Sequence, residues 1–181
     1  MSILIFPIFI AAYLFTRRSK PTPAKASQSL FVKYFATGLF FSLLTELFVT
    51  RDHVALFSQS VPTDLFLSIG IYGAMIIIWY WLVSHYVLPL FGVFASAGLW
   101  GIVFEQNFKI LLSLNPVAYL YIFLVYGSLA AIPFAIFRHE FEARPHDSSP
   151  KKYIIAFLAQ CIAYPAGFVW IAFFRLALNL K

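Results

Sequence analysis

Hydrophobic residues in this chain run in long blocks separated by short polar joints, rather than alternating with polar ones. The first block, Ile3 to Phe15, is closed by Thr16-Arg17-Arg18-Ser19-Lys20. It is shorter than the roughly 20 residues a membrane-crossing helix needs. Its positive charge follows the apolar run, whereas a cleaved signal peptide carries charge before it. The pattern predicts an N-terminal anchor helix and a polar, Pro-containing linker over residues 1–29. Five longer blocks follow, about Leu30–Val49, Leu65–Tyr86, Pro89–Leu114, Val117–Phe137 and Tyr153–Phe174. As helices, each is long enough to cross the hydrocarbon core of a bilayer.

The joints carry the punctuation that helices need. Arg51-Asp52-His53 ends the second block. Thr63 and Asp64 read as an oxygen cap and a first-turn acid for the third. Asn115-Pro116 reads as an N-cap followed by proline at the first helical position. Pro133 predicts a kink in the fifth block, and Pro165 with Gly167 interrupts the sixth. Trp79, Tyr80, Trp81 and Tyr86 predict an interfacial aromatic belt at the end of the third. The expected fold is therefore all-α: a polytopic transmembrane helix bundle of six spans, or five if Ile3–Phe15 does not cross.

Composition agrees and removes the alternatives. The chain is 62% hydrophobic and 11% charged, against about 25% charged for an ordinary soluble domain. A water-soluble fold of this size cannot bury that much apolar surface. The net charge of +6 comes from the joints. Six spans with the N-terminus outside put Arg17, Arg18, Lys20, Lys25, Lys33, Arg138, Arg144, Lys151 and Lys152 in the cytoplasm and leave Arg51, Lys109, Arg175 and Lys181 outside. That asymmetry is the positive-inside bias. The expectation is an integral protein of the cytoplasmic membrane of a prokaryote, with the lipid bilayer as its first partner. No basic helix or Gly-rich phosphate loop accompanies the charge, so no nucleic-acid partner is expected. The single cysteine, Cys161, offers no internal disulfide and no CxxC pair.

Two blocks share a second pattern. Gly38, Ser42 and Glu46 recur every four residues, as do Ala97, Gly101 and Glu105. A shift of 59 carries Phe35-Ala36-Thr37-Gly38 onto Phe94-Ala95-Ser96-Ala97, and Glu46 onto Glu105. A shift of 54 carries Ile71-Tyr72-Gly73-Ala74 onto Val125-Tyr126-Gly127-Ser128, and His85 onto His139. The chain thus reads as an anchor and linker (1–29), a first helical hairpin (30–88), a second hairpin (89–140) that repeats the first, and a cytoplasmic loop with the last helix (141–181).

Chemistry is expected where carboxylates meet apolar helices, because charge inside a membrane is costly and usually functional. The small residues beside Glu46 and Glu105 let a neighbouring helix approach, so both acids are expected to face the bundle. Both sit roughly 6–8 Å inside the outer boundary, on spans that run in the same direction. Facing each other, such a pair could share a proton, hold a cation or act as general acid and base. The competing reading is two helix-end anchors, with Glu105 paired to Lys109 at i, i+4. Gln106 and Asp64 are the candidate polar neighbours on the same side. His85 and His139, at the cytoplasmic ends of their helices, are candidate proton carriers or metal contacts, without the further ligands of a zinc signature. The paired-glutamate motif of the glutamate-dependent membrane proteases is missing from both Thr45-Glu46 and Glu105-Gln106.

The expected function is binding or transport of a small solute or ion at the glutamates, near the extracytoplasmic side. Two alternatives stand beside it. One is a non-catalytic subunit or assembly factor of a larger membrane complex. The other is a membrane enzyme using the two glutamates as acid and base on a lipid-like ligand. The sequence names no cofactor.

Overall fold

The apolar blocks fold as helices. In the computed structural model, the residues described are 2–17, 28–51, 58, 60–104, 109–142 and 151–178. A 3₁₀ turn at Ser2–Leu4 leads into α1 (Ile5–Arg17), followed by α2 (Gln28–Arg51), α3 (Val61–His85) and α4 (Leu90–Phe104). A single turn, α5 (Lys109–Leu112), precedes α6 (Pro116–Ile136), α7 (Arg138–Glu142) and α8 (Lys152–Ala177). No strand occurs among the described residues.

Four stretches are long and apolar enough to cross a membrane: Leu30–Val49, Val61–His85, Pro116–Ile136 and Lys152–Ala177. α1 and the described part of α4, expected as spans, are shorter, at 13 and 15 residues. A cap explains one boundary and a proline another. Asn115 caps α6 as expected, its Oδ1 accepting the N–H groups of Val117 at 3.0 Å and Ala118 at 3.2 Å. α3 begins earlier than expected: Ser60, not Thr63, holds the N-cap position, with Pro62 inside the first turn. Proline's fixed φ suits a first helical turn, whose N–H groups have no intrahelical partner.

Packing orders the helices. α4 lies against α6, α3 against α8, α2 against α3, and α1 against α6. Glycine allows the closest approaches. A Cβ on Gly167 would lie 2.5 Å from the Ile71 Cα, so α8 crosses α3 almost backbone to backbone. A Cβ on Gly127 would meet the Phe94 carbonyl at 2.8 Å, which fixes α6 on α4 in the same way. Small residues at crossings are how apolar helices associate where lipid offers no hydrophobic penalty.

The helix ends gather at two opposite faces. The Thr16 carbonyl meets the His139 Nε2 at 3.1 Å, and the Lys152 ammonium donates to the Val87 carbonyl. Phe141 packs on the rings of Tyr34 and Tyr80. These contacts bring Arg17, Lys33, Arg138, Lys151 and Lys152 to one end, the basic end of the bundle. The largest core cluster fills the space above it with Trp79, Leu82, Val93, Phe94, Ala131 and Ile132, all buried.

Candidate functional site

The four-residue stripe of α2 faces inward. Gly38 lies against Ile76 of α3, and Ser42, Thr45 and Glu46 are all buried. Glu46 retains only 1% of its exposure. Thr45 turns its hydroxyl back to the Phe41 carbonyl at 2.9 Å, which satisfies it within its own helix. Glu46 instead reaches across to α3, where the Tyr72 hydroxyl donates to its Oε2 at 2.6 Å. That length falls within the about 2.5–2.7 Å of a charge-assisted O–H···O bond.

Tyr72 links this carboxylate to a cavity. The cavity lies among α2, α3 and α6, and its walls include Tyr34, Ser42, Tyr72, Trp79, Tyr126 and Pro133. Its volume is about 20 Å³, room for a water molecule and little more. The Tyr34 hydroxyl and the Trp79 indole N–H are buried on its walls with no hydrogen-bond partner among the described residues. Buried polar groups normally have a partner, in protein or in ordered water. Pro133 has no N–H, so the carbonyl four residues earlier, that of Leu129, loses its helical donor at the same level. Leu129 also lines the cavity. From Glu46 to Tyr34 the polar groups extend over twelve residues of α2, a rise of about 18 Å.

This arrangement corrects one sequence reading. Trp79 is not part of an interfacial belt: it is 2% exposed, whereas Trp81 is 43% exposed. Two residues apart on a helix, the side chains point to nearly opposite faces.

The other expected site residues divide as follows. Glu105 and Gln106 lie outside the described residues. The stripe leading to Glu105 does face the bundle: Ala97, Gly98 and Gly101 are buried, with Gly98 on Phe123 and Gly101 on Tyr126. Asp64 is buried, and its Oδ1 accepts the Ser58 N–H at 2.9 Å while its carbonyl accepts from the Ser68 hydroxyl at 2.8 Å. It fastens the chain leading into α3. His85 is exposed and bonds through Nδ1 to the Trp81 carbonyl of its own helix at 2.8 Å. His139 ties α7 to α1 through the Thr16 carbonyl. Among the described residues no group of three or more His, Cys, Asp or Glu is placed to hold a metal ion. Cys161 is half-buried, with its thiol toward the Phe157 carbonyl at 3.4 Å.

No site role for Tyr72, Tyr126 or Tyr34 is read from the sequence, and Trp79 reads there as an interfacial residue. A signal was present, since Tyr72-Gly73 and Tyr126-Gly127 are the core of the second repeated pattern. Comparison with protein-family models, with curated proteins and with solved structures finds no match.

Proposed function

We propose that this protein binds a small cation, in the simplest case a proton, at Glu46 and passes it along the polar interior of the bundle. The observation that carries this reading is a buried carboxylate hydrogen-bonded to Tyr72, whose ring borders a water-sized cavity. A carboxylate among apolar helices is stabilised by donors, a bound proton or a cation. Ser42, Tyr126, Tyr34 and the indole of Trp79 continue a line of polar groups toward the basic end. The volume admits water or an ion of similar size and is too small for an organic solute. That favours an ion over the broader small-solute class.

Topology and repeat support the same reading. The basic end is cytoplasmic by the positive-inside rule, which places Glu46 toward the outer side and Tyr34 toward the inner. α1 and α4 then complete six crossings. Two packing contacts recur at the sequence shifts of 59 and 54: Phe35 on Gly73, and Phe94 on Gly127. The same shifts carry Ser42 onto Gly101 and Tyr72 onto Tyr126, and Gly101 packs on Tyr126. A duplicated hairpin accounts for both pairs. It assigns Glu105 as the sequence counterpart of Glu46.

Reconstituted vesicles containing a pH-sensitive dye test the function. Under an imposed gradient and potential, the wild-type protein is expected to carry proton flux, and Glu46→Gln to reduce it to the level of empty vesicles. Tyr72→Phe leaves the carboxylate but removes its donor. It should slow flux about ten-fold or more, the scale of one hydrogen bond to a charged group. Wild-type flux persisting in Glu46→Gln, with protons and with Na⁺ or K⁺, would falsify the reading.

A further inference from the structure

A second cavity, of about 570 Å³, opens between α1 and the start of α4. It lies apart from the Glu46 site and has a different character. Phe6, Phe9, Phe91 and Phe94 supply aromatic walls, and Tyr13 and Arg138 also line it. Phe94 closes one part by stacking on Phe9 at 5.1 Å and tilting against Phe6 at 6.1 Å between ring centroids. Phe91 is 74% exposed, so the groove is open on its α4 side. Tyr13 lies three residues before Thr16, whose carbonyl contacts His139, the residue after Arg138. Tyr13 and Arg138 therefore mark the basic end of the groove. The volume is within the about 300–1,000 Å³ of ordinary ligand pockets.

An apolar slot that ends in a guanidinium at the membrane boundary matches a ligand with an acyl chain and an anionic head. We propose that the groove holds one acyl chain of an anionic membrane phospholipid, with its phosphate at Arg138. Three observations favour this occupant. The groove opens on an apolar flank of the bundle, where lipid tails are the solvent. The guanidinium offers phosphate oxygens paired N–H donors. The surrounding end carries Arg17, Lys33, Lys151 and Lys152 against Glu140 and Glu142 of α7, and so keeps a positive balance. Basic pockets between helices at the cytoplasmic boundary are where anionic lipid heads bind. A second copy of the chain is a poor fit to that charge, since the sequence holds 13 basic residues against 7 acidic ones.

The test introduces a reporter by Phe91→Trp, read as the difference in fluorescence from the otherwise identical parent. The full chain is reconstituted into phosphatidylcholine vesicles doped with brominated phosphatidylglycerol or, separately, brominated phosphatidylcholine. The introduced indole is expected to be half-quenched at an about five-fold lower fraction of the anionic lipid, the effect of one basic residue near a membrane surface. Adding Arg138→Gln should narrow the gap between the two curves, leaving only the weaker preference given by the surrounding cations, whereas Arg138→Lys should keep most of the gap. Phe91 is exposed, so its replacement spares the core. Native mass spectrometry of the Arg138→Gln protein without the reporter gives a second reading, as reduced retention of phosphatidylglycerol. Equal quenching by both lipids with Arg138 intact, or a preference and retention untouched by Arg138→Gln, overturns the proposal.

Discussion

Tyr72 has the ordinary credentials of a membrane-helix aromatic, yet its hydroxyl gives Glu46 a hydrogen bond from another helix. What matters is its height on α3 relative to Glu46 on α2, and that height is a product of packing. Glycines show the same dependence on partners. A Cβ on Gly73 would find the Phe35 ring at 3.6 Å, an ordinary contact, while one on Gly127 would press on a carbonyl at 2.8 Å. Gly73→Ala should therefore leave thermal stability in detergent nearly unchanged. Gly127→Ala should lower it by about 1–3 kcal/mol, the usual cost of overpacking. Equal melting temperatures for the two variants would contradict the tight α4–α6 crossing.

At the scale of elements, local chemistry decides where helices start more reliably than how they are used. Asn115 capped α6 where the Asn-Pro pair said it should, because both of its hydrogen bonds are made within three residues. Removing the cap by Asn115→Ala is expected to destabilise by about 1 kcal/mol, seen as a lower melting temperature with the same helical content. α3 is capped at Ser60, three residues before the Thr63 that the sequence marks, because Pro62 suits the first turn as well as Thr63 suits a cap. Asp64 kept the acidic first-turn place but fastens the preceding chain through Ser58. α1, at 13 residues, is shorter than the roughly 20 that a crossing helix needs, as its short apolar block indicates. Among the described residues, the apolar block from Pro89 to Leu114 is helical over Leu90–Phe104 and again over Lys109–Leu112.

For the whole molecule, the central geometric fact is that basic residues distant in sequence meet at one end through the Thr16–His139 and Lys152–Val87 contacts. The orientation in the bilayer proposed from that end can be measured. In a protein with Cys161 replaced by Ala, cysteine at Ser60 should react with an impermeant thiol reagent added outside intact cells. Cysteine at Lys151 should react only after the cytoplasmic side is opened. Both positions are exposed, so reactivity reports sidedness rather than burial. The reverse pattern would put Glu46 toward the cytoplasm and invert the direction of the proposed ion path. The proposed duplication makes its own prediction at this scale. If Glu46 and Glu105 act as a unit, Glu105→Gln alone should reduce flux as far as Glu46→Gln does, and flux near the wild-type level in Glu105→Gln would show that the two are independent.

The amino-acid pattern alone determined that the chain is helical, with helices long and apolar enough to cross a membrane, roughly where those helices run, and that Glu46 lies on a stripe of small residues. Those features are local: hydrophobic length, caps and a four-residue spacing are properties of a segment by itself. The tertiary structure decided which groups meet. It placed the Tyr72 hydroxyl on Glu46, turned Trp79 inward while leaving Trp81 outside, and formed one cavity from α2, α3 and α6 and another between α1 and α4. In apolar helices nearly every face is greasy enough to be buried, so periodicity does not select the partner. Close packing does, through the few positions where a glycine lets two backbones touch.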